Sequence, residues 1–189
     1  MIAAMSEPMR EPAETAGWLA AAQRGDSAGF DAIYRWLAGP VTAFARARGA
    51  DDPEGITNET FLRAFRSIDS FTGDGGRLRA WIFSIARNQL IDAHRRSQRR
   101  PDELFAPPPE GAADGADVVA LERVGLEELH DVLSVLTDEQ REVVLMRLVA
   151  DLSLAETAEA VGRPVSAVKR LQARGLKRLQ REILAREVS

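Results

Sequence analysis

Apolar residues recur at helical spacing along most of the chain and predict an all-α protein. The clearest amphipathic stripe steps by three or four residues through Phe30, Ile33, Leu37, Val41 and Phe44. Pro40 falls inside this stripe, so we expect a break or a kink there. No alternating run of β-branched residues is long enough to predict a strand.

Two more helices are predicted before residue 100. Asp52 and Pro53 are typical of an N-cap followed by a first helical position, and the helix that they open carries apolar residues at Phe61, Ala64, Phe65 and Ile68. The glycine-rich stretch Asp69–Gly76 predicts a loop. Leu78–Arg96 contains neither glycine nor proline and predicts one long helix.

The carboxy-terminal half contains helix signals at closer intervals. Leu121–Leu136 has the pattern of one helix. Thr137 with Gln140, and Ser153 with Glu156, match the capping-box pattern that opens a helix. Gly162 is placed to end the second of these. Pro164 prevents helix through the following turn, and we expect Ser166 to cap a last helix that runs to about Arg186.

Composition divides the chain into two helical domains joined by a flexible acidic linker. Residues 1–17 lack helical periodicity and predict a disordered lead. Pro101–Asp117 holds four prolines, two glycines and five acids in 17 residues, too little apolar surface to offset the entropy of ordering it. We therefore predict domains at 18–100 and 121–186, with a linker at 101–120. The end of the chain near Ser189 predicts no further regulatory domain.

Acidic and basic residues are clustered in separate blocks along the chain, and the net charge does not show this. The net charge is −4, which alone argues against nucleic acid. Residues 101–142 carry twelve acids and two bases, whereas residues 163–186 carry eight bases and one acid, and residues 87–100 carry five arginines and one acid. Because the Debye length is about 8 Å at physiological salt, a ligand responds to the local block. Two anion-facing surfaces are predicted.

Several classes of protein are excluded by what the sequence lacks. It has no cysteine and only two histidines, His94 and His130, so we expect no disulfide, no metal site and no cofactor. Neither a phosphate-binding glycine loop nor a nucleophile–base pair is present, and we expect no enzymatic activity. The acidic amino terminus is not a secretory signal and no run approaches 18 apolar residues. A cytoplasmic protein without membrane insertion is predicted.

The last two predicted helices are typical of a helix-turn-helix. A short capped helix is followed by a glycine-containing turn and a helix with a basic side. The apolar side of that last helix consists of Val168, Leu171, Leu176 and Leu179, and its basic side includes Lys169, Arg170, Arg174, Lys177 and Arg181. We interpret it as a DNA recognition helix; an amphipathic helix with a merely solvated basic face is the alternative.

The second basic block combines cations with aromatic residues. Trp81 lies on the helix that ends in Arg95 and Arg96, and Phe71 lies in the loop before it. Aromatic rings beside cations suit single-stranded nucleic acid, which needs a stacking surface and neutralisation of its backbone. The alternative is that both rings are core residues, and for Trp81 alone that is the better interpretation.

Three sets of motifs resemble, in the same order, the extracytoplasmic-function (ECF) sigma factors of bacterial RNA polymerase. Asn58–Phe65 resembles their clamp-binding segment in region 2. Leu78–Asn88, continued by Asp92, Arg95 and Arg96, resembles the promoter-melting helix. Three further segments resemble region 4 of the family, namely Leu136–Val144, Leu152–Ala158 and Ala167–Lys169. The resemblance covers roughly residues 18–100 and 121–184.

This resemblance implies a role for three groups of residues. Contact with the β′ clamp is implied for Asn58, Glu59, Phe61, Leu62, Arg63, Phe65 and Arg66. Recognition of the melted −10 element, with a flipped base at Phe71, is implied for Phe71, Arg77, Trp81, Asn88, Asp92, Arg95 and Arg96. Recognition of the −35 duplex is implied for Arg163, Ser166, Ala167, Lys169, Arg170, Arg174 and Lys177.

The implied function is promoter-specific initiation of transcription, with the polymerase doing the chemistry. The implied partners are core RNA polymerase, through its β′ clamp coiled coil and β flap, promoter DNA, and an anti-sigma factor. The free chain is expected to be a monomer. The alternative is a stand-alone operator-binding regulator that uses the same helix-turn-helix. That protein would need a dimer to place two helices one DNA turn apart, and it leaves Trp81–Arg96 unexplained.

Overall fold

The computed structural model describes residues 12–99 and 131–187, and the regular secondary structure within these ranges is helical. The helices are α1 (Thr15–Gln23), α2 (Ser27–Ala47), α3 (Pro53–Ser67), α4 (Gly75–Arg99), α5 (Asp138–Leu148), α6 (Leu154–Val161) and α7 (Val165–Glu187). A 3₁₀ turn, Ile68–Ser70, follows α3, and residues 131–134 are also helical. Over these same ranges, no helix combines the length and apolarity needed to cross a membrane.

The predicted all-α fold with two helical domains is confirmed. Helices α1–α4 form an amino-terminal bundle, and residues 131–187 form a carboxy-terminal bundle. The predicted linker at 101–120, most of the predicted lead and most of the predicted helix Leu121–Leu136 lie outside the described residues.

Helix α2 is the centre of the amino-terminal bundle. Its predicted stripe is buried, with Ile33, Leu37, Val41 and Phe44 fully inaccessible to solvent. The ring of Phe44 meets Phe83 of α4 edge-on, with the ring centroids 5.5 Å apart. The predicted break at Pro40 is wrong, because α2 continues through it. Apolar contacts of Leu37 and Val41, on either side of the proline, hold the helix together despite the hydrogen bond that Pro40 cannot donate.

Two predicted boundaries in this bundle are also wrong. Helix α1 begins at Thr15, inside the predicted lead, because Thr15 is buried and its hydroxyl donates to the Pro12 carbonyl at 2.6 Å. The predicted loop Asp69–Gly76 is too long. The 3₁₀ turn occupies its start, and α4 already begins at Gly75, where the Asp74 carboxylate accepts the Arg77 amide at 2.9 Å. The cap predicted at Asp52 is confirmed, since its carboxylate accepts the Gly55 amide.

The caps and the turn of the helix-turn-helix form as predicted, except at Ser166. Both capping boxes are present, and Gly162 ends α6 in the left-handed conformation with φ of 66°. Ser166, however, does not cap α7, because the helix begins at Val165 and the Pro164 carbonyl accepts the amides of Ala167 and Val168. The first turn of α7 therefore closes on Pro164, and Ser166 lies within it.

Close packing holds α7 on the carboxy-terminal bundle. A Cβ atom placed on Gly175 would lie 2.8 Å from Cγ2 of Val144, so α7 approaches α5 closely at this point. Val168 and Leu179 are buried beside it, but Leu176, predicted on the same apolar side, is 40% exposed.

The two bundles pack against each other rather than standing apart. Helix α6 lies on α4, and α5 also contacts α2. Buried apolar residues of both bundles belong to one continuous cluster. The relative placement of the two candidate nucleic-acid surfaces is therefore set by this contact.

Candidate functional site

Helix α4 presents a polar stripe along one face. At about 100° per residue, Arg77, Trp81, Asn88, Asp92 and Arg95 fall on a single side of the helix. All of them except Trp81 are exposed, and so is Arg96 one residue further on. The structure thus brings the predicted −10 residues of α4 together on one accessible surface.

Phe71 and Trp81 lie at the start of this stripe and contact each other. Their ring centroids are 4.9 Å apart, and both rings are partly buried against the core. The Gln23 amide donates to the Phe71 carbonyl at 2.8 Å and to the Ile68 carbonyl at 3.2 Å, which fixes the loop. Both residues are of intermediate exposure, so Trp81 lies at the edge of the core and is neither fully buried nor fully exposed.

The predicted clamp-binding residues of α3 divide into a buried and an exposed set. Phe61 is only 2% exposed and lies in the core, and Phe65 is partly buried against Phe30, with the ring centroids 4.7 Å apart. Leu62 is 51% exposed, and the other exposed members are Asn58, Arg63 and Arg66; Glu59 is partly buried and pairs with Arg63 at 2.7 Å. Phe61 therefore supports this surface from beneath.

Tyr34 of α2 joins the α3 surface, although the sequence analysis did not select it. It is 40% exposed, its ring lies 4.8 Å from that of Phe61, and its hydroxyl donates to Asn58 Oδ1 at 3.4 Å. Its signal in the sequence is an aromatic residue directly beside the buried stripe position Ile33. We call Tyr34, Asn58 and Leu62 the α2–α3 patch.

The basic side of α7 faces solvent. Lys169, Arg170, Arg174 and Lys177 are exposed, and no carboxylate of the described residues lies within 4 Å of any of them. Ser166 is exposed and Ala167 is partly buried. Arg163, by contrast, is paired with Glu139 of α5. From Lys169 to Lys177 the helix rises about 12 Å, so these four cations are spread over about two turns.

Arginines of the amino-terminal bundle reach across to the carboxy-terminal bundle. Arg87 Nε meets Glu142 Oε1 at 2.7 Å, and Arg79 Nη2 meets Glu156 Oε1 at 3.5 Å. Arg48 Nη1 donates to the Asp138 carbonyl at 3.2 Å. Burial lowers the pKa of Arg48 below its ordinary value, and the negative charges of Glu142 and Asp138 oppose that change. Part of the basic block at residues 87–100 is thus neutralised within the chain.

Comparison with known proteins identifies both bundles. The Sigma-70 region 2 family model matches residues 31–100, and the Sigma-70 region 4 model matches residues 126–179. The ECF RNA polymerase sigma factor SigD of Mycobacterium tuberculosis is 31% identical over 180 residues, covering 88% of this chain and 82% of SigD. The chain belongs to the ECF sigma factors. Its region 2 match includes α3, α4 and most of α2, and its region 4 match includes α5, α6 and much of α7.

Other sigma factors agree with this assignment. The ECF RNA polymerase sigma factor BldN of Streptomyces coelicolor is 34% identical over 156 residues, which are 80% of this chain but only 56% of BldN. The fold is shared with CnrH in its complex with the cytosolic domain of CnrY, at a TM-score of 0.69 and 23% identity, over 89% of this chain and 96% of CnrH. It is also shared with RpoE of Bartonella quintana, in complex with the anti-sigma factor NepR, at a TM-score of 0.62 and 24% identity, over 80% of this chain and 94% of RpoE. The match to region 2 covers Trp81–Arg96. These are the residues that the alternative, a stand-alone operator-binding regulator, leaves unexplained.

Proposed function

We propose that this sigma factor binds core RNA polymerase and directs it to promoters, reading the −35 element as duplex and the −10 element as a melted strand. The observation that carries the proposal is the presence of two different nucleic-acid surfaces in one chain of this family. One is the basic side of α7, and the other is the aromatic and basic stripe of α4. The chain catalyses nothing itself and acts in the cytoplasm.

In region 4, α7 enters the major groove with its amino-terminal turn towards the base edges. Ser166, Lys169 and Arg170 lie on or next to that turn and are exposed. Arg174 and Lys177, one and two turns further on, neutralise phosphates. Arg163 joins them when it leaves Glu139. A first helix of a helix-turn-helix crosses the DNA backbone, and that is the position of α6.

In region 2, the exposed stripe of α4 follows the melted strand. Flipping a base costs a few kcal/mol of unstacking, and the Phe71–Trp81 pair offers a surface that recovers part of it by stacking. Arg77 lies beside the two rings, and Arg95 and Arg96 at the far end of the stripe neutralise the backbone. Asn88 and Asp92 lie between these cations and supply hydrogen-bonding groups for base edges.

The polymerase clamp binds the α2–α3 patch together with Arg63 and Arg66. Exposed leucine and tyrosine side chains surrounded by polar groups are typical of an interface centre with a polar rim. Region 4 also contacts the β flap. The domain boundaries at 18–100, 101–120 and 121–186 are part of this proposal, since they allow the two regions to engage separate sites on the polymerase.

Regulation by an anti-sigma factor is the remaining part of the proposal. Two proteins of the same fold have solved structures with a bound partner protein, CnrH with the cytosolic domain of CnrY and RpoE with the anti-sigma factor NepR. We propose that the free chain is a monomer and that a partner of this kind competes with the polymerase for it.

Co-elution with bacterial core RNA polymerase on a sizing column tests polymerase binding. The wild-type chain is expected to co-elute at one copy per polymerase. Leu62→Asp places a charge in the centre of the α2–α3 patch and is expected to abolish co-elution. The matched control is Ala43→Asp, also at an exposed position of this bundle, nine residues from Tyr34 and so about 180° around α2. Absence of co-elution by the wild type, or equal loss in both variants, contradicts the proposal.

A further inference from the structure

The loop that carries Phe71 is held by a side chain of another helix, that of Gln23, the last residue of α1. The side-chain amide of glutamine has two N–H donors, and here both are used. Nε2 of Gln23 donates to the Phe71 carbonyl at 2.8 Å and to the Ile68 carbonyl at 3.2 Å. The Ile68 carbonyl also accepts the Phe71 amide at 3.1 Å. Gln23 therefore satisfies the two carbonyls at the ends of this turn, which no helix or sheet satisfies.

Helix α1 is itself fixed by packing at the point where it presents Gln23. Leu19 and Ala22, in its last turns, are buried in the core. A Cβ atom on Gly29 would lie 2.6 Å from the Trp18 carbonyl oxygen, so α2 lies against α1 without a gap. The core thus sets the position of Gln23, and its hydrogen bonds pass that position on to the loop.

Three candidate −10 residues meet at this loop, but they are not held in the same way. Trp81 and Arg77 belong to α4, whose start is fixed by the Asp74 carboxylate accepting the Arg77 amide at 2.9 Å. Phe71 lies outside the helix. A Cβ atom on Gly73 would lie 2.9 Å from Cζ of Phe71 and 2.9 Å from Cβ of Arg77, so ring and arginine come together over the glycine. The place of the Phe71 ring beside the other two side chains therefore depends on the backbone that Gln23 holds.

We infer that Gln23 is a positioning residue for the reading of the −10 strand, acting through Phe71. It precedes the residues matched by the region 2 model, which begin at residue 31. A binding surface that is ordered before its ligand arrives avoids the entropy of ordering it on binding. Loss of the two hydrogen bonds is therefore expected to weaken reading of the −10 strand and to spare reading of the −35 duplex. This role in reading rests on the proposed function, whereas the hold on the loop does not.

Two substitutions remove the hydrogen bonds and keep the length of the side chain. Gln23→Met has no donor at its end, and Gln23→Glu replaces the donor with an oxygen. Loss of two hydrogen bonds is expected to raise the equilibrium constant for opening of the loop about tenfold or more. The matched control is Gln180→Met, the same substitution at an exposed position of α7.

Hydrogen exchange of single amides, followed by nuclear magnetic resonance in the free chain, tests the hold on the loop. The Phe71 amide exchanges when the turn that bonds it to Ile68 opens. Its exchange is expected to be about tenfold faster or more in both Gln23 variants and unchanged in Gln180→Met. The Gly55 amide, bonded to the Asp52 carboxylate in the same bundle, is expected to keep its rate. Unchanged exchange at Phe71 in both variants overturns the hold, and so does equal acceleration at Gly55.

Transcription by core polymerase tests the role in reading. Promoters at which initiation depends on the wild-type chain are compared with copies in which either the −10 or the −35 element is scrambled. Gln23→Met is expected to lower discrimination against the scrambled −10 element, by up to the factor found for Phe71 exchange, and to leave discrimination at the −35 element unchanged. Wild-type discrimination at both elements, or equal loss at both, overturns this role. Absence of any initiation that depends on the wild-type chain contradicts the proposed function, while the exchange result still decides the hold on the loop.

Discussion

Salt dependence of duplex binding provides a quantitative test of the α7 surface. Six cations of α7 face solvent with no carboxylate of the described residues within 4 Å, and we assign four of them to the duplex, namely Lys169, Arg170, Arg174 and Lys177. If each neutralises one phosphate, the affinity varies with salt with a logarithmic slope of about −3.6. Raising salt from 50 to 200 mM then lowers the affinity about 150-fold. A Lys177→Gln variant retains three cations, for which the slope is about −2.7 and the loss about 40-fold.

The assay is fluorescence anisotropy of a labelled mixed-sequence duplex of about 30 base pairs, because phosphate contacts do not depend on sequence. The free chain suffices, since this side of α7 is exposed in the structure. The matched control is Arg186→Gln. Arg186 lies on the same helix but is paired with Glu182, so its loss should leave the slope unchanged. A wild-type slope near zero, or a slope that Lys177→Gln does not reduce, would refute the assignment of these cations to DNA.

Two matched pairs of variants test the local structure of region 4, each by urea unfolding. Ser153→Ala removes the cap of α6 and should lower the free energy of unfolding by about 1 kcal/mol. Ser166→Ala removes no cap and should change the free energy of unfolding by less than about 0.5 kcal/mol. Equal losses of stability in the two variants would argue against the assigned caps. Gly175→Ala places its Cβ 2.8 Å from Val144 Cγ2 and should cost about 1 to 3 kcal/mol. Gly17→Ala, at an exposed position of α1 where a Cβ would meet nothing within 4 Å, should gain up to about 1 kcal/mol. The reverse order would contradict the packing of α7.

Features governed by a few neighbouring residues could be predicted from the sequence. Both capping boxes and the turn at Gly162 depend on side chains and backbone groups within four residues of one another. The α2 stripe was likewise evident from its spacing. The break at Pro40 was predicted wrongly for a related reason, because the local cost of a proline is outweighed by core contacts of Leu37 and Val41 that no local pattern reveals.

The candidate surfaces could be predicted only in part. Phe61 and Leu62 are adjacent in sequence, yet one is buried and the other is exposed. Which of them faces solvent depends on how α3 packs on α2, and that packing also brings Tyr34 into the patch. The bundle contact was not predictable at all, since Arg87 and Glu142 are 55 residues apart and nothing in either local sequence specifies the other.

Transcription of genomic DNA by purified core polymerase, with and without this chain, tests the central claim most directly. Sequencing the 5′ ends of the transcripts shows where initiation occurs. The account predicts start sites that depend on the chain and that share sequence elements about 10 and about 35 base pairs upstream, or about 25 base pairs apart along the duplex. Substitution of Arg170 should alter selection at the upstream element, and substitution of Phe71 at the downstream one. Start sites that are the same with and without the chain would contradict the account.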